Sequence, residues 1–267
     1  MQMAQGLAAH IYRFIPENNR LERIWLLAKT DFKLRYNASA LGMIWAFIYP
    51  LIRILIYYTV FSLVFPKQIE NYGFYIFSGI IIWMYFQEAT KKGMGIIKAK
   101  RYLLENIRFN KLDLFYSSIL TSLIGFIVNL SVLIFMLILV GLIPSGRLIY
   151  YPVFVLNLIM LSLGVSLILS TINVYLKDIS QLWDLVLLLM FWINPIFFAK
   201  QKVFDMFPGL LYANPLAGII VNSRDVLMYG KEPDWMLAGY DYLYAGFILA
   251  FGVWFFNKYF YKAIEKL

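Results

Sequence analysis

Arg53 lies 12 residues after Leu41, the start of a long apolar run. That is about 18 Å along a helix at ~1.5 Å per residue, near mid-bilayer if the run spans one. A guanidinium there is costly unless it meets a carboxylate, a phosphate or a wet cavity. A structural pairing and a place on a substrate path both fit. Arg53 also falls in register with Trp45, Tyr49, Tyr57, Phe61 and Phe65, a series recurring every four residues. Each four-residue step drifts about 40° around a helix, so neighbours share a face but the whole series does not. Rings with polar tips suit sliding sugars, offering a flat apolar face and a hydrogen-bonding edge without a deep pocket. Lipid contact and packing use the same residue types. Trp45, Tyr49, Arg53, Tyr57 and Phe61 are the candidate path.

Little else here can do covalent chemistry. The chain has one histidine, His10, and no cysteine, which removes thiolate zinc sites, disulfide scaffolds, cysteine nucleophiles and histidine-based triads. Gly93 and Gly95 stand near Lys98, but without the spacing or the Ser/Thr of a phosphate-cradling loop. ATP, if used, must be hydrolysed elsewhere, and neither a metal nor a directly bound cofactor is expected. Ion-coupled carriers bury Asp, Glu or His within their spans. Here Asp184 and Asp241 lie at the ends of apolar runs, where an interfacial role is the favoured reading.

The composition says what must position these residues. At 62% hydrophobic, 15% charged and a mean hydropathy of +0.71, the chain lacks the polar skin of a soluble domain, typically about a quarter charged. Its solvent must be lipid. Runs near the ~20 residues that cross a bilayer occur at about 41–65, 72–86, 114–143, 150–176, 182–199 and 239–257. The expectation is an all-α membrane protein with six transmembrane helices. The first 40 residues carry charges from Arg13 onward and lack an uninterrupted apolar stretch of signal-peptide type, so no cleavable signal peptide is expected.

The net charge of +9 is distributed by side. Seventeen Lys and Arg fall in the first 38 residues, the connections after the second and fourth runs and the tail; six fall in the alternate connections. By the positive-inside rule both termini are cytoplasmic, and the basic surplus needs no nucleic acid. Residues 1–38 form a cytoplasmic segment, 39–262 the membrane domain and 263–267 a tail. Within the first, Leu21, Ile24, Trp25, Ala28 and Phe32 recur at helical spacing among Arg20, Arg23 and Lys29. This predicts an amphipathic interface helix with Trp25 at headgroup level; a solvated helix capped by Asn18 or Asn19 is the alternative. The charged excursion at 91–113 suits a short helix docked on a soluble partner or a loop on anionic headgroups. The outer interval 200–238, broken by Pro208, Pro215 and Pro233, predicts short re-entrant helices, with a small folded extracellular loop as the alternative. Small-residue stripes, among them Ser118, Ser122, Gly125 and Asn129, and Ser162, Ser166 and Ser170, allow close helix packing. A pore lining would look similar, and packing is the favoured reading.

The segment DFKLRYNASALGMIWAFIYPL, Asp31 to Leu51, resembles the opening of ABC-2 type permeases that export polysaccharides, through Arg35, Tyr36, Ser39, Leu41, Gly42, Trp45, Pro50 and Leu51. LKDISQLWD, with Asp178, and the segments INPIFF and ANPLAGIIVNSRDVL resemble further parts of that family, the last two its outer proline segments. The family often has proline after the phenylalanine matched by Phe109; Asn110 stands here. The resemblance implies a homodimer with two copies of an ABC ATPase subunit that carries ATP and magnesium. It implies docking through the 91–113 region, with Leu103, Glu105, Asn106, Arg108 and Phe109 as candidates and Asp178 contributing. It makes Asn194, Pro195, Asn214, Pro215 and Arg224 an outer gate. The substrate implied is a lipid-linked polysaccharide, foremost O-antigen, crossing a bacterial cytoplasmic membrane. Capsule or teichoic acid polymers and a small molecule are the alternatives within the family. A membrane-embedded glycosyl- or acyltransferase is the alternative outside it, and should show converging Asp, Glu or His.

Overall fold

The structure is a computed structural model and describes residues 19–36, 42–64, 71–106, 110–176, 178–198 and 208–264. Among these residues every regular element is helical. In chain order they are α1 (Arg20–Tyr36), α2 (Trp45–Val64), α3 (Tyr72–Ala99), α4 (Arg101–Asn106), α5 (Leu112–Leu139), α6 (Tyr151–Tyr175), α7 (Ile179–Ile193), α8 (Pro208–Ala213), α9 (Ala217–Met228) and α10 (Trp235–Ile264). A helix satisfies all its interior backbone groups from within one segment, so a sequence this apolar can cross lipid in that form without orphaned amides.

Three stretches are long and apolar enough to cross a membrane: Leu112–Leu139, Gly146–Tyr175 and Trp235–Phe260. The chain is an all-α membrane protein, and these coincide with the third, fourth and sixth expected spans. The other three expected spans are also helical but differ in kind. At 15 residues, α7 is about 22 Å long, short of the ~30 Å hydrocarbon core. For the second span, the sequence places the end at Phe86; α3 runs on to Ala99. The reason is a second periodicity. Ala89, Thr90, Gly93, Met94, Ile96 and Ile97 are buried, while Glu88 and Lys92, both half-buried, pair at 2.7 Å beside them.

The core forms where α6 packs against α10 and α3, with α5 on the other side of α3 and α1 lying on α5. Phe77, Phe86, Phe115, Phe154 and Phe256 are fully buried in it, and Phe115 meets Phe256 edge-on with centroids 5.1 Å apart. The α6–α10 crossing is close because two glycines meet there. A Cβ on Gly164 would lie 2.7 Å from Leu249 N, and one on Gly252 would lie 2.6 Å from the Gly164 carbonyl. The serine stripe of α6 turns the same way toward α3: Ser166 Oγ donates to Ser162 O at 2.6 Å and to Ala89 O at 3.3 Å. Likewise Ser122 Oγ on α5 donates to Glu88 Oε1 at 3.4 Å. Small residues therefore bring these helices together, as in other lipid-embedded bundles.

Candidate functional site

At the end of α7 the chain meets Asn194–Pro195. A residue before proline is pushed out of the helical region, and Asn194 is extended at φ −69° and ψ 146°. The helix stops there, with Met190 O accepting from Asn194 N at 3.0 Å and from Asn194 Nδ2 at 2.7 Å. Four side chains from other elements grip the resulting turn. Tyr72 and Tyr75 of α3 donate to Phe197 O and Phe198 O at 2.8 and 2.7 Å. Asn214 Nδ2 donates to Asn194 Oδ1 at 3.1 Å. Arg224 on α9 donates to Pro195 O at 2.9 Å and Ile196 O at 3.3 Å, and through Nε to Tyr75 O and Ser78 Oγ, both at 3.2 Å.

Arg224 is buried, and its guanidinium lies 3.5 Å above the Tyr75 ring centroid. Charge is tolerable there because carbonyl dipoles and a ring face replace water around it. Gly79 leaves the space: a Cβ would stand 2.7 Å from Nη2 of Arg224. Of the outer-gate candidates, Asn214 and Arg224 are thus buried and hydrogen-bonded to the turn that holds Asn194 and Pro195, while Pro215 is half-buried. Two short helices, α8 and α9, occupy the expected outer interval, and α9 packs against α3 and α6. Tyr72, Tyr75 and Ser78 escaped the sequence reading, because nothing local distinguishes them from other polar-tipped residues near a helix end.

On α2 the aromatic series divides as the helical drift requires. Trp45 and Tyr49 are exposed, Tyr57 packs against the core, and Arg53 lies at the boundary. Arg53 donates to Tyr49 Oη at 3.0 Å and to Met84 Sδ of α3 at 2.6 Å. Phe61 belongs to α2, but its side chain lies outside the described residues.

At the opposite end, α1 is fastened to both flanks of the α4 region. Asp113, fully buried at the start of α5, accepts from Arg20 Nε at 2.8 Å and from Arg23 Nη2 at 2.6 Å. Asp113's hydrogen bond and charge hold the Arg20 guanidinium above its ordinary pKa. Lys100, just before α4, pairs with Asp31 at 2.7 Å. Lys111 donates to Leu104 O at 3.2 Å, and burial lowers its pKa from the usual lysine range. Arg23, Leu27, Ala28 and Thr30 face the protein, whereas Leu21, Trp25 and Lys29 are exposed. Arg23 is buried because Asp113, 90 positions away, neutralises it, which no periodicity could reveal.

In α4, Leu103 is buried with Leu104, and Arg101 and Tyr102 are exposed. Leu103 therefore anchors this helix on the bundle. Glu105 and Asn106 lie in α4 with side chains outside the described residues; Arg108 and Phe109 lie outside them altogether. Asp178 is exposed at the start of α7. Lys91 pairs with Asp184 at 2.7 Å, and the Trp183 indole donates to Thr90 Oγ1 at 3.2 Å, so the first half of α7 is held to α3.

The site is thus an apolar helical bundle with a gripped turn at one end, a charged latch at the other and an aromatic face carrying one arginine between them, an arrangement suited to a membrane-embedded protein. The sequence profile of the ABC-2 type transporter family matches residues 22–228, and the chain belongs to that family. An O-antigen export system permease protein of Klebsiella pneumoniae is 28% identical over 248 residues, covering 91% of this chain and 93% of that protein. Its counterpart in Myxococcus xanthus is 27% identical, covering 78% and 81%. A polysialic acid transport protein of Escherichia coli is 23% identical, covering 75% and 79%.

Proposed function

We propose that this chain is the membrane-spanning subunit of an ATP-driven exporter that carries a lipid-linked polysaccharide, O-antigen foremost, outward across a bacterial cytoplasmic membrane. The observation that carries the reading is the similarity to an O-antigen export permease over nearly the whole length of both chains. The polysialic acid relative covers less of the chain at lower identity, so a capsule polymer is the second reading.

Two copies of the chain and two ABC ATPase subunits make the working assembly, with both termini cytoplasmic and six helices crossing the membrane. ATP binding in the partner displaces α4. Because Lys100 and Asp113 flank α4 and both hold α1, α1 moves with it, biasing the dimer between two arrangements. The free face of α2, with Trp45 and Tyr49, lines the path together with α7 from each copy. On the outer side α8 and α9 dip into the leaflet, and the Asn194–Phe198 turn gates the exit.

The test is complementation. In a strain lacking its own O-antigen permease, the chain co-expressed with its ATPase restores surface polymer, and a Walker-lysine substitution in the ATPase abolishes it. The purified chain alone hydrolyses no ATP. Turnover without a partner, or no surface polymer despite a correctly inserted complex, would sink the reading.

A further inference from the structure

Among the described residues, the guanidiniums that are not exposed are those of Arg23, Arg53 and Arg224, and they are not equally satisfied. Arg23 meets the buried carboxylate of Asp113, and Arg224 meets three carbonyls and a hydroxyl. Arg53 has five N–H donors, and two of them find acceptors among the described residues, both neutral. One is the Met84 thioether, a weak acceptor. The other is the Tyr49 hydroxyl, whose ring also lies under the guanidinium, 4.8 Å from its centre. No carboxylate pairs with Arg53 among the described residues.

Position sharpens the contrast. Arg53 stands about 12 Å from the Trp45 end of α2 and about 16 Å from the Val64 end, so on the transport reading, in which α2 crosses the membrane, its side chain cannot reach either headgroup layer by extending along the helix. Met84 covers one side of it. The other side continues into the free face of α2, where Tyr49 is 55% exposed. A half-satisfied cation in mid-membrane is stable only if that face meets something polar.

The geometry points to an oxyanion subsite: we propose that Arg53 and the Tyr49 hydroxyl together take a phosphate or carboxylate group of the substrate as it passes along the free face of α2. This deepens the transport reading above and rests on it. The guanidinium fork matches two oxygens of such a group. The Tyr49 oxygen accepts from Arg53, which leaves its own O–H to donate to the anion. Met84 is readily exchanged for a stronger acceptor. One cation without a second charged group binds an oxyanion and releases it again, as passage demands. The shared chemistry has two sources, the phosphate of a polyprenyl anchor and the carboxylate of an acidic sugar.

The test uses the chain with its ATPase in nanodiscs, as wild type, Arg53→Gln, Arg53→Lys and Tyr49→Phe. Binding is measured for polyprenyl diphosphate, uncharged polyprenol, and a free oligosaccharide bearing carboxylates. Arg53→Gln weakens binding of at least one anionic probe by about tenfold or more and leaves polyprenol unchanged. Tyr49→Phe weakens the same probe less, and Arg53→Lys retains part of the affinity, which separates loss of charge from misfolding. The anionic probe that responds identifies the source. Equal binding of both anionic probes by wild type and Arg53→Gln overturns the proposal. Surface polymer in the complemented strain is scored separately: if wild type fails to export, the transport reading falls, while the binding arms still decide the subsite.

Discussion

Replacing Arg224 by methionine keeps an unbranched side chain of similar reach and removes all five donors. Tyr75 O and Ser78 Oγ retain each other at 2.7 Å, so the loss concentrates on Pro195 O and Ile196 O, both at buried residues. An unsatisfied buried acceptor costs about 1–3 kcal/mol, or roughly 2–6 kcal/mol for the two. Removing a fully desolvated cation returns part of that, leaving about 3 kcal/mol against the local fold of the turn. At about 1.4 kcal/mol per decade, that is on the order of 100-fold faster hydrogen exchange. The assay is hydrogen–deuterium exchange by mass spectrometry on the peptide covering 194–198, in nanodiscs. Amides in α5, remote from the turn, serve as the internal reference. Arg224→Lys is the decisive companion, because a point charge cannot reach Pro195 O, Ile196 O and Ser78 together. It should restore little protection. Unchanged exchange in Arg224→Met would refute the view that this side chain holds the turn, and full protection in Arg224→Lys would show that charge alone suffices.

Asp113→Asn leaves Arg23 buried opposite an amide, a loss of about 3–5 kcal/mol for a broken buried pair, and α1 should come away from α5. Because the chain has no cysteine, a single Leu27→Cys probe reports this cleanly as a gain in maleimide labelling; equal labelling in both backgrounds would count against the latch. Gly164→Ala forces backbone apart at the α6–α10 crossing and should cost about 1–3 kcal/mol, read as a lower unfolding temperature by tryptophan fluorescence. Gly239→Ala meets nothing within 4 Å and should leave that temperature unchanged or slightly higher; equal effects at both positions would argue against the close crossing.

The site was legible in unequal measure, and the reason is range. Residues that work through their own helix could be read directly: Tyr49 and Arg53 are four apart and do meet, and Asn194–Pro195 ends its helix as proline chemistry dictates. Residues that work through partners could not. Arg224 enters the outer gate through the family resemblance alone, and nothing local shows that it reaches back 149 positions to Tyr75. Arg23 and Arg20 looked like the polar side of a surface helix, and their carboxylate lies 90 and 93 positions on. Charges begin just after Phe86 and close the second apolar run there, but in the structure those charges occupy one side while Ala89, Gly93 and Ile97 continue the packed side.

Hydropathy and charge along the chain were sufficient to establish lipid as its solvent, helix as its secondary structure and the approximate places of its apolar segments. Each of these is a local consequence of what a hydrocarbon environment tolerates: no unsatisfied backbone and few charges. The tertiary structure alone decided which cations are neutralised and which is left partly open. That depends on which acceptors lie within about 3 Å of each donor, and a chain that folds back on itself many times sets those distances between residues remote in sequence. Three arginines of identical chemistry thus become a latch, a pin and a candidate subsite.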